Sequence, residues 1–252
     1  MDYKKLVKNM LNLGVALLKN GAEVSRVEDS MYRLCRAYGF VHADIWVIYS
    51  NIQATVETEE GEIITQVRHI GSTSIDYEKL DKLNNLSRCL CKETPEPEEI
   101  SRRLKEIDND KPLPVWIDYA AGIMGGVGFG VFFGCDLRNA LVAVVAAIVL
   151  VFVGRRLDKV EHNIMIYNFI QGFCTEVFIL LAAWLGLASN PSNITLGIVM
   201  LMISGLSFTY GMIDLMHRDT LSGLLKISNS IIGAFGIALG IAAAMFLLKG
   251  VL

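Results

Sequence analysis

The amino-acid sequence predicts an α-helical membrane protein: an N-terminal α+β cytoplasmic domain over residues 1–112, followed by a five-helix transmembrane bundle over 113–252. Three observations carry this reading. Mean hydropathy is +0.44 and 53% of the 252 residues are hydrophobic, more than an ordinary soluble domain carries. Charge is divided sharply: residues 1–112 hold 16 Lys/Arg and 19 Asp/Glu, whereas 113–252 hold 7 of each. The second part also resolves into five apolar stretches, each close to the ~20 residues that cross ~30 Å of hydrocarbon. The composition excludes a secreted, collagenous or disordered chain, and a net charge of −3 offers no basic surface for nucleic acid. A single-pass anchor is excluded by the extent of apolar sequence.

In chain order, Leu6, Met10, Leu13, Leu17 and Leu18 fall at helical spacing over 2–19, and Gly21 supplies a stop. The N-terminus has lysines at 4, 5 and 8 and no apolar run, so no signal peptide is expected there. Ser25 and Glu28 have capping-box spacing and predict a second helix that starts at Ser25 and ends at Gly39. Three strand-like runs follow, 44–49, 52–57 and 62–70, the last two joined through Glu59-Glu60-Gly61 as a hairpin. A helix over 76–92 carries Tyr77, Leu80, Leu83, Leu86 and Leu90 on one face and stops before Pro95 and Pro97. A short charged helix over 98–107 leads to Pro112 and Pro114.

The expected spans are 113–134, 139–154, 164–187, 194–213 and 227–248. The second is short, and Arg138 and Arg155 extend it by snorkelling. Orientation follows from basic residues. Arg102, Arg103, Lys105 and Lys111 precede the first span, Arg155, Arg156 and Lys159 follow the second, and Arg218 follows the fourth. The opposite side shows only Arg138 and Lys249. The N-terminal domain is thus expected in the cytoplasm and the C-terminus outside. Gly122, Gly126, Gly130 and Gly134 recur every fourth residue and predict a helix face open to close approach, either static packing or a moving gate. Gly233, Gly236 and Gly240 form a shorter version.

Polar groups within the spans are the candidate functional residues. Glu176 sits mid-span, where a carboxylate costs about 2.5–3.5 kcal/mol on insertion scales unless it is protonated, paired or in contact with water. It reads as a proton carrier or substrate contact, or else as a neutral acid hydrogen-bonded between helices. Asn168 and Gln171 lie eight and five residues earlier, lining a polar path or gluing helices together. Asp136, Arg138 and Asn139 form the turn after the first span, either a solvated loop or part of the site. Asp214, Asp219, Ser222, Lys226 and Asn229 lead into the last span, either on an amphipathic surface helix or lining a water-filled cavity. The five cysteines have no zinc-site spacing and read as reduced and structural, and His42, His69, His162 and His217 are scattered. No enzyme motif is present, and neither cofactor nor metal is expected.

These residues carry a resemblance. GAEVSRVEDSMYRLCRAYGF (21–40) is similar to a motif of the threonine/serine exporter family, through Gly21, Glu23, Arg26, Val27, Glu28 and Gly39. FFGCDLRNA (132–140) resembles the family's Phe-Gly-Gly turn, FCTEVF (173–178) its acidic third-span segment, and DTLSGLLKISNSI (219–231) its Leu-Ser-Gly segment. The chain departs from the family pattern at Ser204-Gly205, where Pro-Gly is frequent, at Tyr210, where Asn is common, and at Ile213, where Arg is common. More closely, it resembles the larger subunit of the two-component, succinate-exporter-like branch. The resemblance implies a plasma-membrane secondary transporter exporting threonine, serine or a dicarboxylate such as succinate. A smaller multispanning partner subunit is implied as well. The expectation is proton-coupled export through Glu176, with Asp214, Ser222, Lys226, Asn229 and Asn168 near the pathway. The Gly122–Gly134 face is then the seam with the partner or with another copy. The competing reading is a membrane-anchored sensor or assembly protein whose cytoplasmic domain binds a ligand.

Overall fold

The computed structural model describes residues 1–71, 75–110, 113–161 and 163–248. Lys111, Pro112, His162 and Lys249, used above for boundaries and orientation, lie outside the described residues. The chain divides into two compact units. The first comprises Met1–Lys111 with Thr209–Lys226, the second Pro112–Phe208 with Ile227–Leu252. The stretch 209–226, assigned by its sequence to the apolar part, therefore packs with the N-terminal unit.

In the first unit, α1 (Tyr3–Lys19) buries Leu6, Met10, Leu13 and Leu17, as its spacing requires. Gly21 turns the chain with φ +97°, a region that favours glycine. The next helix, α2 (Val24–Ala37), starts before the expected position. Glu23 is its N-cap and no side chain caps it. The expected capping box is not formed, because Ser25 already lies inside the helix. The Glu28 carboxylate instead accepts a hydrogen bond from Val47 N–H at 3.0 Å. Strands β1 (His42–Ile48), β2 (Asn51–Glu57) and β3 (Ile63–His69) form an antiparallel meander in the order β1-β2-β3. Ile48 pairs with Asn51, leaving Tyr49-Ser50 as a two-residue turn. Alternation places Ile45, Val47, Ile52, Ala54, Val56 and Ile64 on the core face. Helices α3 (Tyr77–Glu93) and α4 (Pro97–Asp108) complete the layer through Leu83, Leu86, Leu90 and Ile100.

In the second unit, α5 (Val115–Phe132), α6 (Leu137–Leu157) and α7 (Ile164–Trp184) are each at least 18 residues long and apolar enough to cross a membrane. So is α10 (Thr220–Leu248), which begins in the first unit and ends in the second. The expected fourth span is broken into α8 (Pro191–Met202) and α9 (Gly205–Met216), which meet at 47°. Ile203 is extended, and the Ser204 hydroxyl bonds the Ser207 hydroxyl at 2.7 Å, so the break falls on a Ser-Gly pair, a recognised kink site. The fold is thus mostly helical, with four membrane-capable helices among the described residues, or five spans if the bent pair counts as one. Large apolar side chains of this unit point outward, among them Leu141, Phe152, Phe235 and Phe246, a surface suited to lipid.

The glycine face needs correction at one end. Gly134 lies beyond α5 in a turn with φ +89°, so only Gly122, Gly126 and Gly130 share the helix. Those three pack on side chains of the same chain: Val151 and Ala147 of α6, Ile198 of α8, and Cys135. α8 approaches so closely that a Cβ on Gly197 would stand 2.6 Å from Gly130 N. The expected seam with a partner subunit is therefore filled from within. On α10, a Cβ at Gly236 would stand 2.5 Å from Met165 O, which brings α10 against the backbone of α7.

Candidate functional site

The buried face of α7 carries Asn168, Gln171, Gly172, Thr175, Glu176 and Ile179. Asn163 caps the helix by accepting from Met165 N–H and Ile166 N–H. Two of the polar side chains bind their neighbours. Asn168 Nδ2 donates to Gly233 O of α10 at 3.1 Å, and Gln171 Nε2 donates to Leu150 O of α6 at 3.0 Å. Of the two readings left open for this pair, the donors support glue between helices. Thr175 returns its hydroxyl to Gln171 O at 2.8 Å.

Glu176 points inward, with 2% of its surface exposed. Its Oε2 accepts from the Thr195 hydroxyl of α8 at 2.8 Å, while Oε1 is buried without a hydrogen-bond partner among the described residues. Beside it is a cavity of about 10 Å³ lined by Gly172, Thr175, Ile179, Thr195, Ile198 and Ile241 among others. That is close to the minimum of about 10–15 Å³ needed for one water. Thr195 Oγ1 also lies 3.2 Å from Pro191 O. A hydroxyl has one proton and can accept as well as donate. It can donate to an ionised Glu176, or accept from a protonated one while donating to Pro191 O. The same geometry therefore serves both charge states of the acid.

At the turn after α5, Asp136 caps α6 by accepting from Asn139 N–H, and Arg138 donates to Gly186 O. Asn139, 2% exposed, accepts from Ser189 N–H and Asn190 N–H and donates to the Ser189 hydroxyl. Asn139 thus brackets the α7–α8 connection from a buried position, while Asp136 and Arg138 of the same turn are exposed. Arg155, expected to snorkel, pairs with Asp118 of α5.

Asp214, Ser222 and Lys226 gather in the first unit. Lys226 Nζ lies 2.7 Å from Asp214 Oδ2, and the two are 9% and 1% exposed. The ammonium also sits 5.9 Å from the centre of the Tyr49 ring. Tyr49 N–H donates to Ser222 Oγ at 3.2 Å. The β1–β2 turn thus grips the first turns of α10. Burial pushes the Asp219 carboxyl above its ordinary range, with Asp214 adding to the effect. Burial likewise raises Glu28, opposed by the Val47 N–H bond. Asn229 is half-buried and belongs to the second unit. Among the described residues no group of three or more His, Cys, Asp or Glu could hold a metal ion.

A family model described as "Putative threonine/serine exporter" matches residues 8–248. The chain belongs to this family. Its relatives include a protein of Mycobacterium tuberculosis named "Probable threonine/serine exporter", 19% identical over 247 residues that cover 97% of this chain and 46% of that protein. Another is the "Threonine/serine exporter" of Corynebacterium glutamicum, 20% identical over 239 residues, 91% of this chain and 48% of that one. The chain spans about half the length of the curated relatives it matches. No solved structure matches it. The exporter family comprises transporters rather than enzymes, and the apolar helices accord with a membrane protein.

Within this exporter-family chain, the expected site residues separate into two sets. Glu176 and Asn168 belong to the second unit, Asp214, Ser222 and Lys226 to the first. Sequence reasoning missed Thr195 and Tyr49. Each reaches its partner from a different element, so no periodicity connects them; the one available signal was the Thr195 hydroxyl at the edge of the apolar stretch of α8.

Proposed function

We propose that this chain is one subunit of a plasma-membrane secondary exporter of small polar metabolites, threonine and serine or a dicarboxylate, driven by the proton gradient. One observation supports the reading above all: an acid sealed inside an apolar helical unit, with a single hydroxyl partner that suits both of its charge states and space for about one water. An ionised carboxylate in such surroundings costs several kcal/mol, so its charge must be neutralised at some stage of a cycle. In this reading Glu176 carries the proton, Thr195 follows its state, and Asn168 holds α10 to α7. Asp214, Lys226 and Ser222 anchor the N-terminal domain to the base of α9 and α10, and Asn229 remains a pathway residue. The α8–α9 pair counts as one bent span in a five-span bundle, with the N-terminal domain cytoplasmic and the C-terminus outside.

The proposed exporter is two-component, with a smaller multispanning subunit working beside this chain, as the resemblance implies. The test compares efflux of serine, threonine and succinate from cells carrying both chains, either chain alone, or both with Glu176→Gln. Gradient-dependent efflux is expected only with both intact chains. Unchanged gradient-dependent efflux in Glu176→Gln removes Glu176 from the mechanism.

A further inference from the structure

The motif residues Gly21, Glu23 and Arg26 play no part in the Glu176 site, yet they border a cavity of about 220 Å³ in the first unit. This is an order of magnitude more than one water needs, and below the range of about 300–1,000 Å³ that suits drug-sized ligands. It has the size of a small metabolite. Leu17, Val27 and Leu80 give it an apolar lining. Its polar groups come from three helices: Glu23 and Arg26 at the start of α2, Tyr77 and Asn84 on α3, and Tyr210 on α9.

The arrangement of charge selects the ligand. Glu23 Oε2 and Arg26 Nε form an ion pair at 3.8 Å, too long for a hydrogen bond, so their hydrogen-bonding positions stay open to a ligand. One anion and one cation side by side suit a molecule that carries both charges on neighbouring atoms. A carboxylate takes the forked guanidinium donors of Arg26 and an ammonium takes Glu23. A dicarboxylate would set its second anion against Glu23, and a diamine would set one cation against Arg26. The Tyr77 and Tyr210 hydroxyls lie 3.0 Å apart. One of their two protons is spent on that bond, and the other can be donated to a ligand.

We propose that this cavity is a binding site for a small α-amino acid zwitterion, separate from any transport site in the second unit. Because Tyr210 belongs to α9, an occupant touches α2, α3 and α9 together, so binding stiffens that junction. The inference stands on the cavity and its charges and does not depend on the export reading.

The test titrates purified full-length chain in detergent micelles with L-serine by calorimetry. Glycolate lacks the ammonium and ethanolamine lacks the carboxylate, and succinate serves as the doubly anionic probe. Saturable serine binding is expected, with glycolate and ethanolamine at least tenfold weaker and succinate without measurable binding. Glu23→Gln and Arg26→Gln should each weaken serine at least tenfold, while Cys89→Ser, exposed and outside the cavity lining, should leave it unchanged. If either motif variant loses its cooperative melt, Tyr210→Phe replaces it and should weaken binding about threefold. Two outcomes overturn the proposal: no saturable serine binding up to about 10 mM, or serine binding unaltered in the cavity variants.

Discussion

Lys226→Met isolates the Asp214 carboxylate in the core of the first unit. The pair is 2.7 Å apart, and Asp214 is 1% exposed, with its Oδ1 lacking a hydrogen-bond partner among the described residues. Little solvent is present to replace the ammonium, so screening is weak and the lost partner is felt almost in full. Breaking a buried pair from one side typically costs about 3–5 kcal/mol, because a charge is left uncompensated. For a unit of this size that corresponds to a fall in Tm on the order of 10 °C or more. Asp214→Asn should be costly for the converse reason. The double variant Asp214→Asn with Lys226→Met removes both charges and should cost well under the sum of the singles. Thermal melts of the purified full chain, arranged as a double-mutant cycle, measure this directly. A loss below about 1 kcal/mol for Lys226→Met, or strict additivity in the cycle, would refute the argument. The exposed Lys4–Glu62 pair, at 3.1 Å, serves as the contrast: breaking it should cost about 0–1 kcal/mol.

Further outcomes are expected in melts and in thiol labelling. Gly236→Ala forces a Cβ to within 2.5 Å of Met165 O and should destabilise the chain by about 1–3 kcal/mol. Gly128→Ala, where nothing lies within 4 Å, should be neutral or stabilising by up to about 1 kcal/mol in the same melts. In maleimide labelling at about neutral pH, exposed Cys89 should react while Cys35 stays protected until denaturation. Cys35 is buried, and burial pushes its thiol up to about 12, so native thiolate is scarce. A membrane-impermeant reagent should reach Cys89 in inverted vesicles but not in intact cells; labelling in intact cells overturns the cytoplasmic placement of the N-terminal domain.

Much of the architecture could be read from residue order. The period of Leu6, Met10, Leu13 and Leu17 defines α1, and the alternation of Ile52, Ala54 and Val56 defines β2, because both patterns reflect which face meets the core. Features decided by tertiary partners could not be read this way. Ser25 and Glu28 have capping-box spacing, but Glu28 finds a better use in the orphan N–H of Val47. Lys226 looks like the end of an apolar span, yet α10 begins at Thr220 because Asp214 and Tyr49 receive the cation. Mean hydropathy over 194–213 cannot reveal a bend set by one extended residue, Ile203. Glu176 stood out as a charge among apolar neighbours, whereas Thr195 is unexceptional until α8 is laid against α7.

The grip of the Tyr49-Ser50 turn on Ser222 has a practical consequence for cutting this chain. A fragment stopped near residue 110 would forfeit Tyr210 from its cavity rim and leave the Tyr49 amide without Ser222. Such a piece is an unfinished body, prone to stick to itself through the bare patch. A faithful reagent would graft 209–226 back on by a linker, so that the missing hairpin base closes the wound.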